Sequence, residues 1–271
     1  MKMEDNITTI AETDSTQKKE KLLWYRNVSI LIPLVALVFT VFTSLTSYIK
    51  GSHDDYLASR IELRTIISEI VKMNEDFAEI TKKYANDSNT ISALSAQYNT
   101  KNSILSQQAL AVINRLESSL FGKNTVLDVE YMAIGQALSS SYMYDEALEA
   151  YLLSYSRATD STIAAGSLRA VAGIYMIKGN VIETRKMMGE AANIYLGPKF
   201  SGEIEFKKLV TNANTYLQWA QVEVGFGDCK AAKEKIDAVR LLLPQIPNSP
   251  VKNQLVAQSK FLIGATANCG S

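Results

Sequence analysis

Between Arg26 and Lys50 the chain carries no charged residue. The run Asn27 to Ile49 is apolar apart from Asn27 and a scatter of Ser and Thr. A bilayer core needs about 20 mostly apolar helical residues to be crossed, and the chain offers such a stretch once. Trp24 and Tyr25 precede it and Tyr48 stands at its end, where interfacial aromatic residues belong. A core helix of this length would show a polar face. A cleavable signal peptide would have a shorter apolar run and an Ala-x-Ala site, and Thr46-Ser47-Tyr48 stands here instead. The expectation is an uncleaved signal anchor over residues 24–50. Pro33 lies near its start, where membrane helices tolerate proline.

Lys18, Lys19, Lys21 and Arg26 flank the run on one side, and Lys50, Arg60 and Arg64 on the other. The positive-inside rule then favours, by a small margin, a cytoplasmic N-terminus and an extracytoplasmic C-terminal domain, periplasmic in a bacterium. Asp, Glu, Ser and Thr dominate residues 4 to 16, so residues 1–23 read as a disordered tail.

Lys plus Arg equals Asp plus Glu at 28 each, and no basic stripe supports nucleic-acid binding. Three of the five prolines crowd between Pro244 and Pro250, and glycine is sparse. No run combines strict alternation with β-branched enrichment. The fold class expected is all-α.

After the anchor, Leu63, Ile66, Ile70, Met73, Phe77, Ile80 and Tyr84 step by threes and fours, a heptad seam. Ile91, Tyr98, Leu105 and Val112 continue its first position, but Asp87, Lys101 and Gln108 fall at the second. The cluster Asn86 to Thr90 is turn-like and supplies helix caps. Residues 51–122 are therefore expected to hold two helices, about 53–84 and about 90–121, with Gly122 as a stop. They fold back on one another, or the first makes a self-associating stalk and hence a homo-oligomer.

A pattern then recurs. Tyr131-x-x-Ile134-Gly135-x-x-Leu138 precedes Tyr142, Ala147 and Tyr151. Leu168-x-x-Val171-Ala172-x-x-Tyr175 precedes Gly179, Met188 and Ala191. Tyr216-x-x-Trp219-Ala220 precedes Gly227, Ala232 and Ile236. Gly135, Ala172 and Ala220 correspond, and the gap between the last two is the longer. This resembles the tetratricopeptide repeat, a helical hairpin of about 34 residues. Its bulky first-helix residue matches Tyr131, Leu168 and Tyr216. Its small crossing residue matches Gly135, Ala172 and Ala220. Its turn glycine matches Gly179 and Gly227, with Tyr142 in its place in the first copy. Its second-helix alanine matches Ala147 and Ala232, with Thr184 departing in the middle copy. The resemblance implies a TPR-like α-solenoid over residues 127–268. Gly197-Pro198 reads as a loop, with Glu203 onward lengthening the next helix. After the proline cluster, Ser249-Pro250 opens a capping helix whose buried face is Val251, Leu255, Ser259, Leu262 and Ile263.

No catalytic constellation is apparent. His53 is the only histidine, too little for a zinc site or a catalytic triad. Gly225-Phe226-Gly227 reads as a helix turn, and Glu146, Glu149 and Glu190 as surface carboxylates. No enzyme activity, metal or cofactor is expected. The leading expectation is a membrane-tethered scaffold that binds a protein or peptide in a helical-repeat groove. By the resemblance, the groove residues are Met132, Gln136, Ser139, Arg169, Met176, Leu217 and Gln221, with Val129, Gly173 and Asn214 beside them. The bland alternative is that these residues pack against the stalk. The Lys and Asn by which this family clamps a chaperone's terminal carboxylate are missing, since Met132 and Gln136 stand there. A second class is a subunit of a membrane sensor with a self-associating stalk; the segment before the anchor is short for an output domain. The repeat arrangement also brings Cys229 and Cys269 to one end of the stack. They are either two unrelated small residues or a disulfide that fits an oxidising compartment.

Overall fold

The computed structural model describes the backbone of residues 5–267 and the side chains of residues 32–267. Among the described residues the regular structure is helical, with no strand. The helices are α1 (Asp5–Lys83), α2 (Ser88–Ser118), α3 (Asp128–Ser140), α4 (Tyr144–Arg157), α5 (Ser161–Ile177), α6 (Val181–Ala192), α7 (Glu205–Gly225), α8 (Cys229–Leu242) and α9 (Pro250–Ala267). The chain divides into two units, residues 1–57 and 58–271.

The first unit is helical from Asp5. That differs from the tail expected over residues 1–23. Those residues are rich in good helix formers such as Ala11, Glu12, Gln17, Lys18 and Lys19, and no Gly or Pro interrupts them before Pro33. From Ile32 to Lys50 every side chain is exposed. The helix is long and apolar enough to cross a membrane. Threonine hydroxyls in this run bond within the helix: Thr40 donates to the Ala36 carbonyl at 2.8 Å and Thr43 to the Phe39 carbonyl at 3.0 Å. That bonding suits hydroxyls to an environment without water.

In the second unit the end of α1 and α2 run antiparallel. Phe77 stacks on Tyr98, Lys101 reaches Glu69 at 2.8 Å, and Arg115 pairs with Glu62. The heptad seam Leu63, Ile66, Ile70 and Met73 is buried here, inside the chain. A self-associating stalk would need a different face. On α2 the buried positions that alternate with Leu105 and Val112 are Asn102, Ala109 and Leu116, and Lys101 and Gln108, where the apolar pattern fails, are exposed. At 3.6 residues per turn a step of four keeps the same face as a step of three, so Asn102 and Ala109 take the inner face while Lys101 flanks it and reaches across to Glu69. Asp87 caps α2 by accepting from the Thr90 amide at 3.1 Å. Gly122 follows the helix end, where a Cβ would meet the Leu116 carbonyl oxygen at 2.2 Å.

From α3 onward each helix packs on the next, and α3 on α5, α5 on α7 and α7 on α9 as well. At the aligned small positions, Gly135, Ala172 and Ala220 are all buried. A Cβ on Gly135 would lie 2.8 Å from the Tyr151 ring. Ala147, Thr184 and Ala232, the aligned second-helix residues, are fully buried too. Thr184 fits because its hydroxyl donates to the Asn180 carbonyl at 2.7 Å.

The three turns share one backbone geometry. Tyr142, Gly179 and Gly227 have φ of 63°, 71° and 77°. The amide after each bonds back five residues: Met143 to Leu138, Asn180 to Tyr175 and Asp228 to Glu223. This is the left-handed C-terminal cap that glycine favours. Asn180 and Asp228 then cap the following helix through their side chains, whereas Met143 makes no side-chain cap. The first turn thus keeps the shape without either favoured residue.

Ser249 caps α9, accepting from the Lys252 amide at 3.2 Å. Leu255, Ser259 and Leu262 of α9 are buried. The two leucines join Leu209, Ala213, Leu217, Ile236 and Val239 in one core cluster. Val251, expected on that face, is exposed.

Candidate interaction surface

Two buried or half-buried ion pairs fix the frame around the candidate surface. Arg60 forks onto Glu130 with two bonds of 2.9 Å. Glu130 also accepts from the Leu127 amide at 2.8 Å, so one carboxylate ties α1 to α3 and caps α3. Arg157 of α4 bonds Glu117 at 2.9 Å and lies 4.9 Å from the centre of the Tyr131 ring. Burial alone would raise Glu117, but the bonds from Arg157 and the Asn124 amide hold its carboxyl below the usual range. Burial pushes the Tyr131 hydroxyl up to about 12, and that of Tyr151 likewise to about 12.

Two open concavities lie along α7. The first, of about 320 Å³, is walled by Thr162 and Arg169 of α5 and by Ile204, Phe206, Val210 and Asn214. The second, of about 380 Å³, is walled by Asn214, Leu217 and Gln221 of α7 and by Ala257, Gln258 and Phe261 of α9. Asn214 belongs to both. Phe261 is 76% exposed and Ile204 is 69% exposed, so each concavity has a large apolar side chain at its rim.

Arg169 is the unusual group. Its Nη1 donates to the Thr215 hydroxyl at 2.9 Å, while its Nε is sealed from solvent with no acceptor. No carboxylate among the described residues forms an ion pair with it. Burial lowers its pKa, though a guanidinium keeps its proton throughout the physiological range. Lys207, on the same wall, is by contrast neutralised: it contacts Asp160 and lies 2.8 Å from Glu203.

The sequence-predicted residues divide. Arg169 and Asn214 meet in the first concavity, and Asn214, Leu217 and Gln221 in the second. Met132 and Met176 are used in packing instead. The Met132 sulfur accepts from Ser167 at 3.6 Å, and the Met176 methyl sits 2.5 Å from where a Cβ on Gly225 would be. Gln136 is exposed and Ser139 half-buried on α3, and they line neither concavity. Cys229, the first residue of α8, is disulfide-bonded. Cys269 lies outside the described residues.

Comparison with protein-family models, with curated proteins and with solved structures finds no match. The reading of this surface therefore rests on its own chemistry. Sequence reasoning missed Ile204, Phe206 and Phe261, which form the apolar rims. The exposed pair Ile204 and Phe206 sits in the longer gap between the second and third copies, and that extra length was the available signal.

Proposed function

We propose that the chain is a single-pass membrane protein that holds a protein or peptide partner on a TPR-like helical-repeat groove. The observation that carries this reading is the pair of open concavities joined at Asn214, lined by α5, α7 and α9 and rimmed by exposed Phe261 and Ile204. Apolar anchors beside a few fixed polar groups are the usual make-up of a peptide-binding groove. The contacts of α3 with α5, α5 with α7 and α7 with α9 support a stacked-hairpin reading. So do the three equivalent turns. A photo-crosslinker at Gln221, compared with one at Glu149 on α4, tests it in intact membranes. A partner captured from Gln221 and not from Glu149 is expected. Equal capture at both positions, or none, would reject the groove.

For topology we propose a cytoplasmic N-terminus and an extracytoplasmic C-terminal unit. The basic residues before the anchor support it, and a disulfide at Cys229 suits an oxidising compartment. Protease added to intact cells or spheroplasts should digest the domain, and digestion only in inverted vesicles would reverse the assignment.

A further inference from the structure

We propose that the α5–α7 concavity receives an acidic side chain from within a partner's peptide segment, seated beside an apolar residue of the same segment. This rests on the groove reading above and names the chemistry of what the groove takes.

The argument begins with charge. A half-buried guanidinium normally has a carboxylate, because desolvating a cation is costly unless it is paired. The other buried and half-buried arginines follow that rule, Arg60 with Glu130, Arg157 with Glu117 and Arg185 with Glu223 and Asp228, and Lys207 beside Arg169 has Asp160 and Glu203. Among the described residues Arg169 hydrogen-bonds only the Thr215 hydroxyl. Arg169 also lines an open concavity, so a counter-ion can reach it from outside. Lys207 cannot take that role, since two carboxylates already hold it. Phe206, Val210 and Ile204 complete the wall and offer an apolar contact next to the cation.

The second concavity decides the form of the ligand. Because Asn214 is shared, a strand that places an acid against Arg169 continues along α7 towards Leu217 and Phe261. An internal Asp or Glu fits that path, and a chain end is not required. Asn214, with one donor and one acceptor group, stands where the main chain of such a strand would pass.

The test is selection of a random twelve-residue peptide display library on the full chain in lipid nanodiscs, repeated with Arg169→Gln and Arg169→Lys. Selected peptides should carry an acidic residue next to an apolar one. Changing that acid to its amide should weaken binding about tenfold or more, as for a charge pair shielded from water. Arg169→Gln should erase the acid preference, and Arg169→Lys should retain part of it. Thermal melting of each variant shows that it is folded. Peptides selected without an acid, or an acid preference that survives Arg169→Gln in a folded protein, would overturn the inference and leave the groove standing. Failure to select any peptide on the wild-type chain would remove the groove reading and the inference with it.

Discussion

The junction of α1 with α3 and the concavity between α5 and α7 each place an arginine out of full contact with water, and they treat it in opposite ways. At the junction, Arg60 meets Glu130 in a two-bond fork with both side chains under a tenth exposed. In the concavity, Arg169 meets a neutral hydroxyl and leaves its Nε without an acceptor. The same residue type is a fastening in one place and an unmatched charge in the other. A fastening is costly to break, whereas an unmatched charge contributes little to folding and a good deal to what can bind.

That contrast predicts a ranking. Arg60→Ala strands Glu130 as a buried anion and should cost about 3–5 kcal/mol in chemical denaturation; a loss under about 1 kcal/mol would show that the fork is not buried in solution. Removing both charges together, as Arg60→Met with Glu130→Gln, keeps the bond to the Leu127 amide and should recover most of that loss, leaving about 1–2 kcal/mol. A double variant no better than Arg60→Ala would break the comparison.

Acid should separate the paired cations from the unpaired one. The carboxyls of Glu117, Asp160 and Glu203 are each held low, because hydrogen bonds from Arg157, Lys207 or neighbouring groups outweigh the raising effect of burial. Their native pKa values lie below their unfolded ones. Their contribution is therefore complete above roughly pH 4–5 and is lost as pH falls through the lowered values. A drop in melting temperature of roughly 2–4 °C for each 1 kcal/mol lost is expected below that range. Arg157→Met should make the acid limb shallower, while Arg169→Met should leave its slope unchanged. The smallest effect is on stability itself: Arg169→Met, which removes an uncompensated charge and one hydrogen bond, should lie within about 1 kcal/mol of wild type. A loss matching that of Arg60→Ala would mean Arg169 is a structural pillar after all.

The all-helical class, the long apolar helix near the N-terminus and most helix ends were legible, because each rests on neighbouring residues. Charge-free length, the Asp87 and Ser249 caps and the small residues at 135, 172 and 220 are all local signals. The second positions of the α2 seam failed at Lys101 and Gln108 and left the rest of its buried face open in the sequence, since steps of three and four share a helix face and only the partner decides between them. The state of Arg169 was not legible at all. Arg60 finds its acid 70 residues away and Lys207 one of its acids 47 away, and no sequence rule says that Arg169 finds none. Met132 and Met176 were placed on the correct helices, but flexible thioethers fill whatever gap lies nearest, and here they fill helix crossings.

The antiparallel pairing of α1 with α2 also has a mechanical meaning. The chain enters this pair at the Arg60 end, and α3, to which Arg60 is clasped, starts from the same end. Tension between the apolar part of α1 and the C-terminal helices would load the contacts one after another: the Arg60 clasp first, then Glu62–Arg115, Glu69–Lys101 and Phe77–Tyr98. A pair loaded in sequence peels, where one loaded all along its length would shear and resist. In single-molecule pulling from those two points, α1 should release early and at low force, with the Arg60–Glu130 fork setting the threshold.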